Sequence, residues 1–165
     1  MSKPLFDPAR DPFVDTAIAM ERAHREQKNI LIHIGGDWCV WCHRLETFIR
    51  EHPELARLRE QHFITVKVYL SATEDTNEAF FHQLPPFEGV PHLLVYNARG
   101  QMLCSQDTEV FEEDQSYDYE RVKHFLSRWS DPRLTPYDAL STEELRRRFG
   151  RRLHPADDSG PILSA

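Results

Sequence analysis

The 165-residue chain carries 27 acidic and 20 basic residues, a net charge of −7, with 40 % hydrophobic and 28 % charged residues. This is globular usage rather than the composition of disorder, in a chain long enough for one domain around one core. The acidic balance presents nucleic acid with no dominant basic field, and no apolar run approaches the roughly 20 residues that span a bilayer. The N-terminus, Met1 to Pro8, lacks an apolar signal-peptide core. Localisation is left between the cytoplasm and an extracytoplasmic space reached by a removed signal.

Asp11 or Asp15 is placed to cap a helix running to about Gln27, with Val14, Ile18, Ala19 and Ala23 at helical spacing. Asn29 to Ile34 is nearly continuous in apolar, β-branched residues and predicts a buried strand that Gly35-Gly36 ends. A second helix is expected from about Cys39, with Leu45, Phe48 and Ile49 on one face; Pro53 interrupts it and opens a new turn through Glu60. Phe63 to Tyr69 alternates as a strand, and a short helix near 77–83 leads into the proline-rich loop at 84–89. His92 to Tyr96, the turn Asn97-Ala98-Arg99-Gly100 and Gln101 to Ser105 predict an antiparallel hairpin, and Tyr117 to Trp129 an amphipathic helix. Strand–helix–strand units followed by a hairpin imply an α/β domain with a central mixed sheet and helices on both faces. The acidic run Glu109 to Asp114 reads as a solvated loop, and Phe80, Phe81 and Phe87 as packing residues. Past Trp129, Ser141-Thr142-Glu143-Glu144 resembles a capping box before a short basic helix ending at Gly150, its arginines taken as a solvated face.

Three cysteines are too few and too unevenly placed for a disulfide scaffold. Cys39 and Cys42 are one helical turn apart, close enough to bridge with little backbone movement. Cys39 falls at the helix start, where unpaired N–H groups and the helix dipole favour a thiolate, the species that attacks. Cys42, one turn in and more shielded, is suited to resolving a mixed disulfide formed at Cys39. Cys104 reads as a small buried hydrophobe.

The run Ile30-Leu31-Ile32-His33-Ile34-Gly35-Gly36-Asp37-Trp38-Cys39-Val40-Trp41-Cys42 resembles the strand, Trp-Cys-x-x-Cys motif and helix start of the thioredoxin superfamily. Gly89-Val90-Pro91-His92 resembles its second hallmark, a cis-proline loop entering a strand. The two motifs stand in the family's order about fifty residues apart, and the likeness extends over roughly residues 12–129. Within the superfamily the chain is most similar to bacterial thioredoxin-like, thiol:disulfide interchange proteins. The resemblance implies a thioredoxin fold over residues 1–130 with a helical N-terminal extension, followed by a partly loose C-terminal extension at 131–165. It implies Cys39 as nucleophile, Cys42 as resolving thiol, Trp38, Trp41, Val90 and Pro91 as the substrate-binding surface, and no cofactor. The partners implied are protein thiols or disulfides and an upstream redox partner; oligomeric state is left open.

Two departures leave alternatives. His33 stands where the family has a buried acid that assists proton transfer, so it is either a proton acceptor or a core histidine satisfied by backbone. Val40-Trp41 differs from the family's better-known dipeptides, which leaves reductase against oxidase or isomerase undetermined. Cys39 to His43 matches the C-x-x-C-H haem pattern, but it follows a hydrophobic strand, the wrong setting for haem. A zinc site needs two further ligands, which only His33, His43 or His92 could bring to the pair, so no metal is expected. A non-catalytic partner-binding or chaperone module is the alternative of a different class; retention of both cysteines, the tryptophan and the proline favours an enzyme.

Overall fold

The computed structural model describes residues 3–138 of the chain. The basic helix expected at 141–150 lies outside the described residues. Five α-helices, α1 (Pro12–Glu26), α2 (Val40–Glu51), α3 (Pro53–His62), α4 (Glu78–His82) and α5 (Tyr119–Arg128), surround a sheet of β1 (Asn29–Gly35), β2 (Phe63–Tyr69), β3 (His92–Tyr96) and β4 (Met102–Asp107). The strand order is β2-β1-β3-β4. β1 runs parallel to β2, as a crossover through α2 and α3 requires, and antiparallel to β3, which pairs antiparallel with β4.

Alternation along the strands divides the core between the two faces of the sheet. Ile30, Ile32 and Ile34 of β1 pack with Ile64, Val66 and Val68 of β2 against Ala19 and Ala23 of α1 and Phe80 of α4. On the opposite face, Leu31, Leu93 and Val95 meet Leu45 and Phe48 of α2, Leu55 of α3, and Val122, Phe125 and Leu126 of α5. This is the mixed sheet with helices on both faces that the element order implies. His33, two residues from Leu31, and Gly35 lie on the α2 face.

The helix ends follow the local chemistry. Asp11 caps α1 by accepting from the Phe13 N–H at 2.9 Å, with Pro12 at the first helical position. Gln27 closes it in the left-handed conformation, φ 55°. Pro53 starts α3 one residue after α2 ends, so the two helices are separated by His52 alone.

Two sequence expectations are corrected. Of the residues expected on the inner face of α1, Ala19 and Ala23 are buried, but Val14 and Ile18 are 52 % and 49 % exposed, and Thr16 is buried in their place. Small side chains let this helix approach the sheet closely, and Thr16 satisfies its hydroxyl on the Pro12 carbonyl at 2.8 Å. The acidic run is not a simple solvated loop. Thr108–Phe111 forms a 3₁₀ turn, and β5 (Glu112–Glu113) pairs with β6 (Ser116–Tyr117), burying Phe111 and Tyr117 beneath exposed carboxylates. Beyond α5 the Asn29 side-chain amide donates to the Trp129 and Asp131 carbonyls at 2.8 and 2.9 Å, and Asn97 donates to Leu134 O at 3.2 Å. The segment after α5 is therefore tied to the ends of β1 and β3.

Candidate active site

β1 delivers the chain to the α2 N-terminus through Gly35, Gly36, Asp37 and Trp38. Cys39 is the N-cap residue of α2, and its sulfur accepts from the Cys42 N–H at 3.2 Å. This is a capping interaction with sulfur as the acceptor, at the end of the helix where unpaired N–H groups converge. The Cys39 thiol also reaches the Val90 carbonyl at 3.7 Å, so the two motifs, far apart in sequence, meet at one sulfur. The Val90–Pro91 peptide is cis, and Thr108 donates to the Pro91 carbonyl at 2.6 Å. All three cysteines are free thiols.

Cys42 is fully buried. Burial pushes its thiol well above the ordinary range, and Cys39 beside it adds to the shift. The space for its sulfur is carved at Gly35, where a Cβ would lie 2.4 Å from Cys42 Sγ and 3.0 Å from Phe6 Cζ. A Cβ on Gly36 would lie 2.2 Å from Trp38 Nε1. The two glycines are thus needed for close approach, one beneath each end of the motif.

Trp38 is 49 % exposed and donates its indole N–H to the Leu70 carbonyl at 2.9 Å, which fixes the ring at the rim. Val40 beside it is also exposed. Trp41 is half-buried: its carbonyl accepts from the Tyr117 hydroxyl at 3.2 Å, its ring meets Tyr117 edge-on, and the Arg44 guanidinium sits over it 4.6 Å from the ring centroid. Val90 is half-buried and Pro91 buried. The structure therefore brings Trp38, Cys39, Trp41, Val90 and Pro91 around one rim, with Cys42 beneath. His43 is exposed and donates from Nε2 to the Asp37 carbonyl at 2.7 Å, closing the loop before the helix.

His33 is buried on the α2 face of β1, edge-on to Phe6 at 5.1 Å between ring centroids. Its Nε2 is buried with no hydrogen-bond partner among the described residues. Burial lowers its pKa to about 3, with nearby Lys67 acting in the same sense, so the imidazole is neutral at physiological pH. A histidine protonated near its ordinary 6.5 when unfolded but only near 3 when folded contributes stability that is complete above about 6.5 and lost as pH falls toward 3. In denaturant titrations, His33→Leu should flatten the loss of stability between about pH 6.5 and 4.5, leaving the smaller slope of His92, which burial also holds low. An unchanged slope would show that His33 is solvated.

Sequence reasoning missed two contributors. Glu46, one turn past Cys42 on α2, is buried against Arg59 at 2.7 Å and Lys67 at 3.2 Å. Despite the opposing effect of burial, the Arg59 guanidinium holds its carboxyl down at about 2, helped by Lys67. Phe6, on the segment before α1, packs with Cys39 and Cys42 in one apolar cluster. Cys104, read as a small buried hydrophobe, is half-buried against the α2-side core, and burial pushes its thiol up to about 12. Among the described residues, no group of three or more His, Cys, Asp or Glu side chains is placed to hold a metal ion, and no helix is long and apolar enough to cross a membrane.

A family model described as Thioredoxin-like matches residues 12–98, just over half of the chain. The human and mouse spermatogenesis-associated proteins 20 are each 31 % identical over 62 residues, which is 38 % of this chain and 8 % of those relatives, so the likeness spans a small part of their length. Among solved structures, a disulphide isomerase from Xylella fastidiosa Temecula1 superposes with a TM-score of 0.62 at 18 % identity, covering 78 % of this chain and 98 % of that one. A thioredoxin from Thermus thermophilus gives a TM-score of 0.48 at 17 % identity, covering 68 % of this chain and 81 % of that one.

Proposed function

The chain belongs to the thioredoxin-like family, and on that premise we propose that it is a thiol–disulfide oxidoreductase acting on protein substrates through Cys39 and Cys42. The observation that carries the reading is the Cys39 sulfur itself, capping α2 and accepting the Cys42 N–H at 3.2 Å beside the Val90 carbonyl.

In this mechanism the Cys39 thiolate attacks one sulfur of a substrate disulfide, forming a mixed disulfide and releasing the other substrate sulfur as a thiolate. Cys42 then attacks Cys39 Sγ. The Cys39–Cys42 bond forms, the Cys39–substrate bond breaks, and the Cys42 proton passes to the departing sulfur. His33 is assigned no proton in this scheme, since burial keeps its imidazole far from protonation. The reverse sequence oxidises a substrate dithiol and reduces the Cys39–Cys42 bridge. Trp38, Trp41, Val90 and Pro91 form the docking rim, with the Val90 backbone available to an extended substrate segment. Docking there needs no organic cofactor.

Equilibration against glutathione redox buffers tests the reading and gives its direction. A couple near about −270 mV assigns a reductant, and one nearer about −120 to −180 mV an oxidase or isomerase. Reduction of insulin disulfides is the companion assay. Equal insulin turnover by wild type and Cys39→Ser would overturn the enzyme reading in favour of a docking module.

A further inference from the structure

The segment ahead of α1 is built into the site. The Asp37 carboxylate, two residues before Cys39, accepts the Leu5 N–H at 3.1 Å on Oδ2 and the Phe6 N–H at 2.7 Å on Oδ1. The chain then turns at Asp7, whose side chain accepts from the Ala9 N–H at 2.9 Å and whose carbonyl accepts from the Arg10 N–H at 3.2 Å. The arm passes the β2 edge, where it borders a cleft of about 390 Å³ shared with α1 and β2. Phe6 is the one large apolar side chain it buries completely. That ring lies over Cys42 and Cys39, edge-on to His33, with Leu5, Trp41, Tyr69 and Val90 around the same cluster.

We propose that this arm is a built-in seal on the inner half of the site, in which Phe6, clamped by the Asp37 carboxylate, is the positioning residue for Cys42. The inference rests on the reading of Cys39 and Cys42 as the exchanging pair. Cys42 is fully buried, and Phe6 and Cys39 are the buried residues clustered with it, so the clamp confines its chemistry to the sulfur of Cys39. Its side chain is held between the Phe6 ring and the Gly35 backbone, and fixing that orientation makes the second displacement effectively unimolecular. The Asp37 carboxylate accepts its hydrogen bonds from the arm, and its charge only adds to the larger effect of burial in holding the Cys42 thiol up. Its role is to hold the arm, and since both N–H groups use it, one substitution releases two anchors.

The test uses the full chain. In a Cys39→Ser background, alkylation by iodoacetamide is followed peptide by peptide, with Cys104 as the internal reference. Phe6→Ala and Asp37→Ala should each raise the Cys42 rate roughly tenfold or more while Cys104 keeps its own rate, and Phe6→Leu should return Cys42 most of the way to the parent value. With Cys39 restored, the mixed disulfide formed with oxidised glutathione should persist roughly tenfold longer in Asp37→Ala than in wild type. Cys42 rates within about twofold of the parent would overturn the seal, and so would equal acceleration of Cys104, which reports general loosening. An unchanged mixed-disulfide lifetime would overturn the positioning role. Should Phe6→Ala fail to fold, Asp37→Ala carries both measurements from an exposed position, and Asp37→Asn, which loses the charge but keeps an amide oxygen to hold the arm, should lie nearer the parent Cys42 rate than Asp37→Ala. Alkylation does not depend on turnover, so a failed insulin assay overturns the exchange reading separately.

Discussion

Cys39→Ala should abolish disulfide turnover, with a loss on the order of 10³-fold or more, whereas Cys42→Ala should keep the first displacement and stall at the second. The asymmetry follows from where the two sulfurs sit. Cys39 Sγ is the helix cap, fed by the Cys42 N–H and facing the docking rim, so its removal leaves no sulfur at that rim for a substrate to meet. Cys42 is fully buried, with the Cys39 sulfur beside it. Its loss does not prevent attack on substrate but removes the sulfur that ends it, so mixed disulfides accumulate. Non-reducing electrophoresis of Cys42→Ala with an oxidised protein substrate should give a species of summed mass that collapses on reduction. Cys39→Ala should give none. If Cys42→Ala captured nothing and Cys39→Ala did, the roles would be reversed.

The second large effect is structural. Glu46→Ala should destabilise the fold by about 3–5 kcal/mol, because it strands two partly buried cations rather than removing a surface pair. Arg59 grips the carboxylate through both guanidinium nitrogens, at 2.7 and 3.1 Å, and Lys67 adds a third bond at 3.2 Å. In thermal denaturation this corresponds to a fall of roughly 10 °C in midpoint for a chain of this size. The pH dependence gives the sign. A carboxylate at about 2 in the fold and near 4.5 when unfolded contributes stability that is fully present above 4.5 and lost as pH falls toward 2. The advantage of wild type over Glu46→Gln should therefore shrink through that interval, a lower window than the one assigned to His33. Unfolding free energies of wild type and Glu46→Ala within about 1 kcal/mol at pH 7 would mean that the cations find solvent.

Much of the site was legible before any coordinates because its chemistry is local. The spacing of Cys39 and Cys42 and their place between a β-branched run and an amphipathic one specify a strand handing over to a capped helix. That is enough to predict which sulfur faces outward. The pairing of this motif with Val90-Pro91 came from the family resemblance, since spacing alone does not bring together segments about fifty residues apart. What sequence reasoning missed lies in sequence-remote contacts. Phe6 stands in a proline-flanked segment without periodicity, Glu46 reads as an ordinary helix-surface acid, and Phe111 sits among carboxylates.

The sequence by itself determined the order of the main helices and strands, the sheet with helices on both faces, and the Cys39–Cys42 pair at the strand-to-helix junction. Strand alternation, proline and glycine punctuation and the helix start are rules of the local backbone, written into neighbouring residues. Tertiary structure alone decided which face of α1 is buried, that His33 is neutral with a buried Nε2 unpartnered among the described residues, that Glu46 is an ionic anchor, and that Phe6 of the arm packs over Cys42. Each depends on the partners that meet at a point in space. Burial, desolvation and ion pairing are properties of that meeting, set by groups up to dozens of residues apart, as Phe6 and Asp37 are.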